Sequence, residues 1–327
     1  MPANLPPQYH EAERKYREAS DLDEKIEALE DMLAIIPKHK GTDKLKADLR
    51  RRISKHKEQQ AQRKGAGKIK TAYSIEKEGA AQVTLIGPPN SGKSSLVTTL
   101  TNASPEIAAF PHTTHKPTPG MAVFENIQFQ LIDTPPMTRE YTDPALIDLL
   151  RRTDIIAIVL DITADPLHQL DETISILREN RIYPEGEPVP KDLPKRPFIK
   201  RMMIAVNKVD GTAEVEDYEV FCELSGTRIP SAAVSTRSGM NLHSFLKLIY
   251  GLSGMIRVFT KTPGKEPDRN MPFVIPHNST VEELAGMIHK DFLSRMKYAR
   301  VWGSAVHGQM VQRDYVMQDG DVVEIHM

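Results

Sequence analysis

The sequence predicts an α/β protein: a doubly wound, mostly parallel sheet, preceded by a helical hairpin and followed by a small α+β module. Three observations carry this. Apolar runs of strand length alternate with helical stretches from Ala81 to about Leu252, which implies parallel strands covered on both faces. One such run, Val83 to Ile86, leads directly into Gly87-Pro-Pro-Asn-Ser-Gly92-Lys93-Ser94 and then a helix over Ser95 to Leu100. Upstream, Leu22, Ile26, Leu29, Leu33 and Ile36 step by four, three, four and three, so they line one helix face.

At the N-terminus, Pro37 to Gly41 ends that first helix, and Thr42 or Asp43 can cap a second. Leu45, Leu49 and Ile53 give the second helix a thinner stripe beneath Arg50-Arg51-Arg52 and Lys55-His-Lys57. Residues 1–70 therefore read as a hairpin with a basic second helix. Formal net charge is −1, so no global field argues for nucleic acid. Its distribution does. Residues 38–70 hold thirteen Lys/Arg against three Asp/Glu, whereas 11–35 hold nine acids against four bases. Two accounts of the basic arm stay open: charges solvated over a packing stripe, or a surface that binds RNA phosphates.

Strands are expected near 82–87, 121–125, 128–133, 155–161, 202–207 and 229–234, within a nucleotide-binding domain spanning 71–256. Tyr183 to Pro197 holds five prolines and reads as a loop before the fifth strand. Gly251 to Ile256 reads as a short hinge. Beyond it, in 257–327, Val258-Phe-Thr260, Phe273-Val-Ile275, a helix capped by Ser279 or Thr280, Tyr298-Ala-Arg-Val301 and Val322-Val-Glu-Ile-His fit a small sheet gripping one helix. Periodicity alone says only α+β module.

At 327 residues the chain can hold two or three domains. Its single cysteine, Cys222, excludes an intramolecular disulfide and a cysteine-based zinc site and fits a reducing compartment. No apolar run approaches membrane-spanning length, and Met1 to Pro7 lacks the character of a signal peptide. A soluble, cytoplasmic protein without membrane contact is expected; oligomeric state is left open.

The motifs give the chemistry. Gly-x-x-x-x-Gly-Lys-Ser is a phosphate-cradling P-loop, with glycines where backbone must wrap around oxygens and a helix N-terminus supplying partial positive charge. Gly87, Asn90, Ser91, Gly92, Lys93, Ser94 and Ser95 are the candidate phosphate-binding residues. Lys93 would reach the β- and γ-phosphates and Ser94 would ligate Mg²⁺. Phe129-Gln-Leu-Ile-Asp133 delivers a carboxylate to a strand end, where Asp133 can hold a metal-bound water. Met202 to Val206 leads into Asn207-Lys208-Val209-Asp210. Asp210 can accept from the N1–H and N2–H₂ of guanine; adenine lacks that donor pair and would leave a charge partly unpaired, at a cost of roughly 1–3 kcal/mol. Asn207 can bridge back to the phosphate loop, and the Lys208 stem can lie along the purine. GTP is the expected ligand and GDP the product.

With Phe110-Pro-His-Thr113-Thr114 ending in Pro119-Gly120, and with Arg257-Val-Phe-Thr-Lys-Thr-Pro-Gly264 and Lys297-Tyr-Ala-Arg-Val-Trp302-Gly-Ser, these motifs make the chain resemble the Obg-like GTPases. The resemblance runs from about Leu45 to Met327. It is strongest to the developmentally regulated GTP-binding proteins, which end in a TGS domain. It implies a P-loop GTPase fold with a C-terminal β-grasp module. It also implies a Mg²⁺-coordinating threonine in the first switch, Thr113 or the favoured Thr114, so that Lys93, Thr114 and Asp133 are the catalytic candidates and Ser94, Thr114 and Asp133 the metal ligands. His112 and His115 beside them read as solvent-facing. The guanine loop resembles Ser235-Thr236-Arg237, whose backbone N–H groups would meet O6, with Ser231-Ala232 as the alternative register. Asn90 implies K⁺ as a further cofactor. Members of this branch carry a small inserted domain near residues 183–197, for which this chain has too few residues.

Two departures bear on rate. Where Asp-x-x-Gly is usual, Asp133-Thr-Pro-Pro136 stands, and proline has no N–H for a γ-phosphate, which weakens triphosphate sensing by roughly 1.5–3 kcal/mol. The next residue, Met137, cannot orient water; a hydrophobic residue there agrees with the resemblance. Slow hydrolysis is expected, with a partner protein able to add on the order of 10³–10⁵ in rate. Three readings follow: a GTPase that binds the ribosome or its RNA, a non-catalytic GTP-dependent adaptor, and a sensor of guanine nucleotides.

Overall fold

The structure, a computed structural model, describes residues 6–18, 22–36, 45–54, 73–101, 117–140, 142–304 and 306–327. The chain divides into two compact units, Met1–Thr71 and Ala72–Met327.

The first unit holds α1 (Pro7–Glu18), α2 (Leu22–Ile35) and the helical stretch 45–54 (α3). Tyr9 and Ala12 from α1, Leu29 and Met32 from α2, Ile36, and Leu49 and Ile53 from α3 form one small core. The expected two-helix hairpin is therefore incomplete: α1 adds a third element. Its signal, Tyr9, Ala12 and Tyr16 at helical spacing, is thin within a strongly charged segment. Arg50, Arg51 and Arg52 are exposed on α3, with Arg52 paired to Asp48 at 2.8 Å. The rest of the basic run, and the capping candidates Thr42 and Asp43, lie outside the described residues.

The second unit is built on a seven-stranded sheet. Its strands are β1 (Gln82–Ile86), β2 (Thr118–Phe124), β3 (Ile127–Asp133), β4 (Ile155–Asp161), β5 (Ile182–Pro184), β6 (Phe198–Asn207) and β7 (Ser231–Ala233). They run in the order β2-β3-β1-β4-β6-β5, with β7 also pairing β6. The β2–β3 pair is antiparallel and the other pairs are parallel. Central strands are apolar on both faces, and β4 shows why the sheet is doubly covered. Ile156, Ile158 and Leu160 enter one core, whereas Ile155, Ala157 and Val159 enter the other. Helices α4 (Lys93–Leu100), α5 (Pro144–Arg152), α6 (Pro166–Glu179), α7 (Thr212–Ser225) and α8 (Leu242–Ser253) connect the strands. Both α5 and α6 start on an aspartate that accepts from the helix, Asp143 from Ala145 N at 2.8 Å and Asp165 from His168 N at 3.0 Å, each followed by proline.

Two loop expectations need correction. Tyr183 and Pro184 belong to β5, which pairs with the start of β6, so the proline-rich loop is shorter than its composition suggests. The hinge at Gly251 to Ile256 is not a loop: α8 continues to Ser253, Gly254 closes it in the left-handed region (φ 68°), and β8 (Met255–Thr260) follows at once. Arg201 fixes this junction by donating to the carbonyls of Leu252 and Ser253 at 3.1 and 2.8 Å.

The C-terminal module is a five-stranded sheet in the order β11-β10-β12-β8-β9, with β9 (Phe273–Pro276), β10 (Tyr298–Trp302), β11 (His307–Val311) and β12 (Val322–His326). Helix α9 (Val281–Ile288) packs Val281, Leu284 and Ala285 against Ile256, Val258, Val301 and Val323. A short α10 (Lys290–Arg295) follows it. Thr280, not Ser279, caps α9, in a reciprocal capping box with Glu283. Strand β11, which the sequence did not suggest, is an edge strand whose residues stay largely in solvent.

Phe245 is fully buried at the α8 side of the sheet. Phe245→Ala is expected to remove about 3–5 kcal/mol from the unfolding free energy of the second unit, read from its denaturant transition.

Candidate nucleotide-binding site

The candidate residues converge at the C-terminal ends of β1, β3, β4 and β6, where open α/β sheets bind ligands. Strand β1 is buried throughout and is followed by Gly87, whose φ of 145° is open to glycine. A Cβ there would meet the Val159 carbonyl oxygen at 2.2 Å, so the loop passes too close to β4 for a side chain. Gly92 takes φ 92° and starts α4; a Cβ on it would lie 2.1 Å from Asn207 Nδ2. Asn90 is the third left-handed residue of the loop, φ 62°, and is exposed at its crown. Ser91 is buried and donates to the Pro88 carbonyl at 3.1 Å, while Ser95 is exposed on the first turn of α4.

Lys93 is buried and folds back into the loop, donating to the carbonyls of Gly87 at 3.1 Å and Pro88 at 2.7 Å. Burial pulls its pKa down to about 8, against the opposing effect of the nearby Asp133 carboxylate. Ser94 donates to Asp133 Oδ2 at 2.6 Å, so two of the three expected metal ligands touch. Among the described residues no group of three or more His, Cys, Asp and Glu could hold a metal ion. A hydroxyl and a carboxylate side by side next to a triphosphate cradle nevertheless fit a hard ion such as Mg²⁺, which takes few protein ligands plus phosphate oxygens. Thr113, Thr114, His112 and His115 lie outside the described residues; β2 resumes at Thr118, which pairs with Asp133.

Past Asp133, Thr134 donates to the Leu85 carbonyl at 2.6 Å, Pro136 is exposed, and Met137 is buried in the core. The Met137 N–H donates to the Gly87 carbonyl at 3.1 Å. This segment is thus pinned along β1 and the phosphate loop, with proline on its outer side.

The base-recognition residues form a second cluster. Asn207 is buried; its Nδ2 donates to the Ser91 carbonyl at 3.0 Å and its Oδ1 accepts from Thr236 N at 3.3 Å. One side chain thereby joins the phosphate loop to the guanine loop. Lys208, at φ 67°, extends to Asp161 Oδ2 at 2.5 Å. Burial raises the Asp161 pKa, but hydrogen bonds from Lys208 and Thr163 outweigh it and hold the carboxyl below its usual range. Asp161 is a participant the sequence reading missed; its signal is an acidic residue closing an otherwise apolar strand. Asp210 accepts from buried Ser235 Oγ at 2.5 Å and lies 3.5 Å from exposed Arg237. The Ser235 N–H is committed to the Met240 carbonyl at 3.1 Å, so Ser235 acts through its hydroxyl rather than as a donor to O6. The alternative register fails: Ser231 and Ala232 lie within β7.

Residues 82–189 match the family described as "50S ribosome-binding GTPase", and residues 256–327 match the TGS domain. An uncharacterised GTP-binding protein of Methanocaldococcus jannaschii is 29% identical over 93% of this chain and 92% of its own length. Developmentally-regulated GTP-binding protein 1 of Xenopus laevis is 25% identical over 92% of this chain and 98% of its own, and the protein 2 homolog of Dictyostelium discoideum 26% over 92% and 98%. These alignments run over 362 to 364 residues, more than the 327 of this chain, so the relatives carry residues without a counterpart here. Fold, site and matches define a GTP-binding P-loop GTPase domain joined to a TGS domain. Over nearly all of its length the chain is similar to the developmentally regulated GTP-binding proteins.

The depressed pKa of Lys93 has a signed consequence for the nucleotide-free protein. Between about 8 and the ordinary 10.5 the unfolded chain holds a proton that the folded chain has lost, so stability rises with pH across that window and is lost as pH falls through 8. Relative to Lys93→Met, the natural protein is expected to gain about 3 kcal/mol between pH 7.5 and 10.5, measured by urea unfolding.

Proposed function

We propose that the chain is a slowly hydrolysing GTPase whose nucleotide state sets its affinity for the ribosome or ribosomal RNA. The observation that carries the guanine part is the Asn207–Asp210–Ser235 constellation: a carboxylate aimed by a buried hydroxyl, joined to the phosphate cradle through one amide. On this reading GTP displaces Lys93 from the Gly87 and Pro88 carbonyls and Arg237 from Asp210. Ser94, Asp133 and Thr114 would hold Mg²⁺, which would supply charge neutralisation on the β- and γ-phosphates. Lys93 orients the same oxygens, and buried Met137 keeps one side of the site free of stray water.

Slow turnover is supported by two features of the segment after Asp133. Pro136 has no N–H to offer, and that of Met137 is committed to Gly87. The same features favour a second reading, a GTP-dependent adaptor with negligible hydrolysis. An activating protein partner, or K⁺ held near Asn90, would supply the missing charge. Ribosome or RNA binding rests on the exposed arginines of α3, the basic run around them, and the description of the family matched by 82–189. The cytoplasm is the compartment this function requires; among the described residues no helix is long and apolar enough to cross a membrane.

Co-sedimentation with ribosomes is expected to differ between GDP and a non-hydrolysable GTP analogue, and to fall when Arg50, Arg51 and Arg52 are changed to glutamine. Equal pelleting in every arm removes the ribosome reading, and single-turnover phosphate release with and without ribosomes separates timer from adaptor. Turnover is expected to be faster in KCl than in NaCl, with Asn90→Ala abolishing the difference; equal rates in both salts for the natural protein eliminate the K⁺ site.

A further inference from the structure

Strand β7 ends one side of the nucleotide domain, and its main chain has an orientation that can be read from its bonds to β6. Ile204 N donates to the Pro230 carbonyl at 2.9 Å and Val234 N donates to the Val206 carbonyl at 2.8 Å. In a parallel ladder the residues that bond to the neighbour alternate, so 230, 232 and 234 face β6. The N–H and C=O groups of Ser231 and Ala233 therefore point away from the sheet, and no hydrogen bond among the described residues uses any of the four.

Beside this edge lies an open cavity of about 320 Å³, lined by Tyr218 from α7, by Ser231, Ala232 and Ala233, and by Asn241, Ser244 and Leu248 at α8. Ser231, Ala232, Ala233 and Ser244 present only small side chains to it. Edge strands are ordinarily guarded by shortness, charge, proline or a covering segment; the three residues Ser231-Ala-Ala233 carry neither charge nor proline, and Pro230 directly precedes them. Helix α7, which adds Tyr218 to the lining, is acidic as a whole. Helix α7 bears Glu214, Glu216, Asp217, Glu219 and Glu223 and no basic residue, and Phe221 is its one buried side chain among the described residues.

We propose that this groove docks an extended, basic segment of a partner protein, which joins the sheet as a further strand along β7. Main-chain pairing with Ser231 and Ala233 holds the segment, the cavity takes one of its side chains, and the acids of α7 select Lys and Arg on its flanks. The same acids repel phosphates, so the occupant is a polypeptide and not RNA.

The test starts from a displayed library of random decapeptides panned against the full-length, GDP-loaded chain. Enriched peptides are expected to carry excess Lys and Arg, to slow amide exchange at Ser231 and Ala233, and to bind Ala233→Pro at least tenfold more weakly by fluorescence anisotropy. That substitution removes an outward N–H and leaves the bonds to β6 in place. GTP binding reports whether the variant folds; if it does not, Ser244→Phe, which fills the cavity from an exposed helix position, decides by the same tenfold criterion. Failure to enrich any sequence, peptides indifferent to the deciding variant, displacement by homopolymeric RNA, or self-association abolished by these substitutions would each overturn the proposal.

Discussion

Asn207 is the interaction on which the nucleotide domain depends. Its carboxamide has one donor committed to the phosphate loop and its oxygen committed to the guanine loop, with Gly92 leaving room for it. An amide so buried loses about 1–3 kcal/mol if either partner moves away. One side chain therefore ties together the two loops placed for opposite ends of a nucleotide. The glycines, the left-handed Lys208 and the hydroxyl of Ser235 are arranged around this bridge.

Much of this was legible because phosphate and guanine chemistry demand particular residues at particular spacings. Gly87 to Ser94, Asp133 and Asn207 to Asp210 fall where the motifs place them, and the alternating burial of β4 is the physical content of the doubly wound prediction. What was not legible has identifiable causes. Helix α1 hides its three-residue apolar face among charges. Strand β11 is an exposed edge that needs no apolar alternation, and β5 is a three-residue strand inside a proline-rich stretch. The Gly251–Ile256 segment looked like a hinge because glycines punctuate it, yet one of them is a helix residue and the other a left-handed cap. Resemblance already favours Ser235 over Ser231, but no local pattern shows that its hydroxyl faces Asp210.

The C-terminal module is not merely appended. Arg257 on β8 bonds Asp319 at 2.7 Å, pairs with Glu125 in the β2–β3 turn, and lies 5.0 Å from the centre of the Tyr250 ring on α8. The bond to Asp319 chiefly holds the guanidinium in its charged form. Burial raises the Asp319 pKa, but the bonds from Arg257 and Tyr250 bring it below the ordinary value. The Arg257–Asp319 pair therefore keeps its charges across physiological pH. Asn126, in the same turn, reaches the Arg269 carbonyl at 3.3 Å, which gives the hairpin ending in Asp133 a second attachment to the module.

Helix α8 begins immediately after the guanine loop and ends one residue before β8, and its twelve residues form a strut of about 18 Å. With a single residue between it and β8, the helix sets how far the far module stands from the guanine loop.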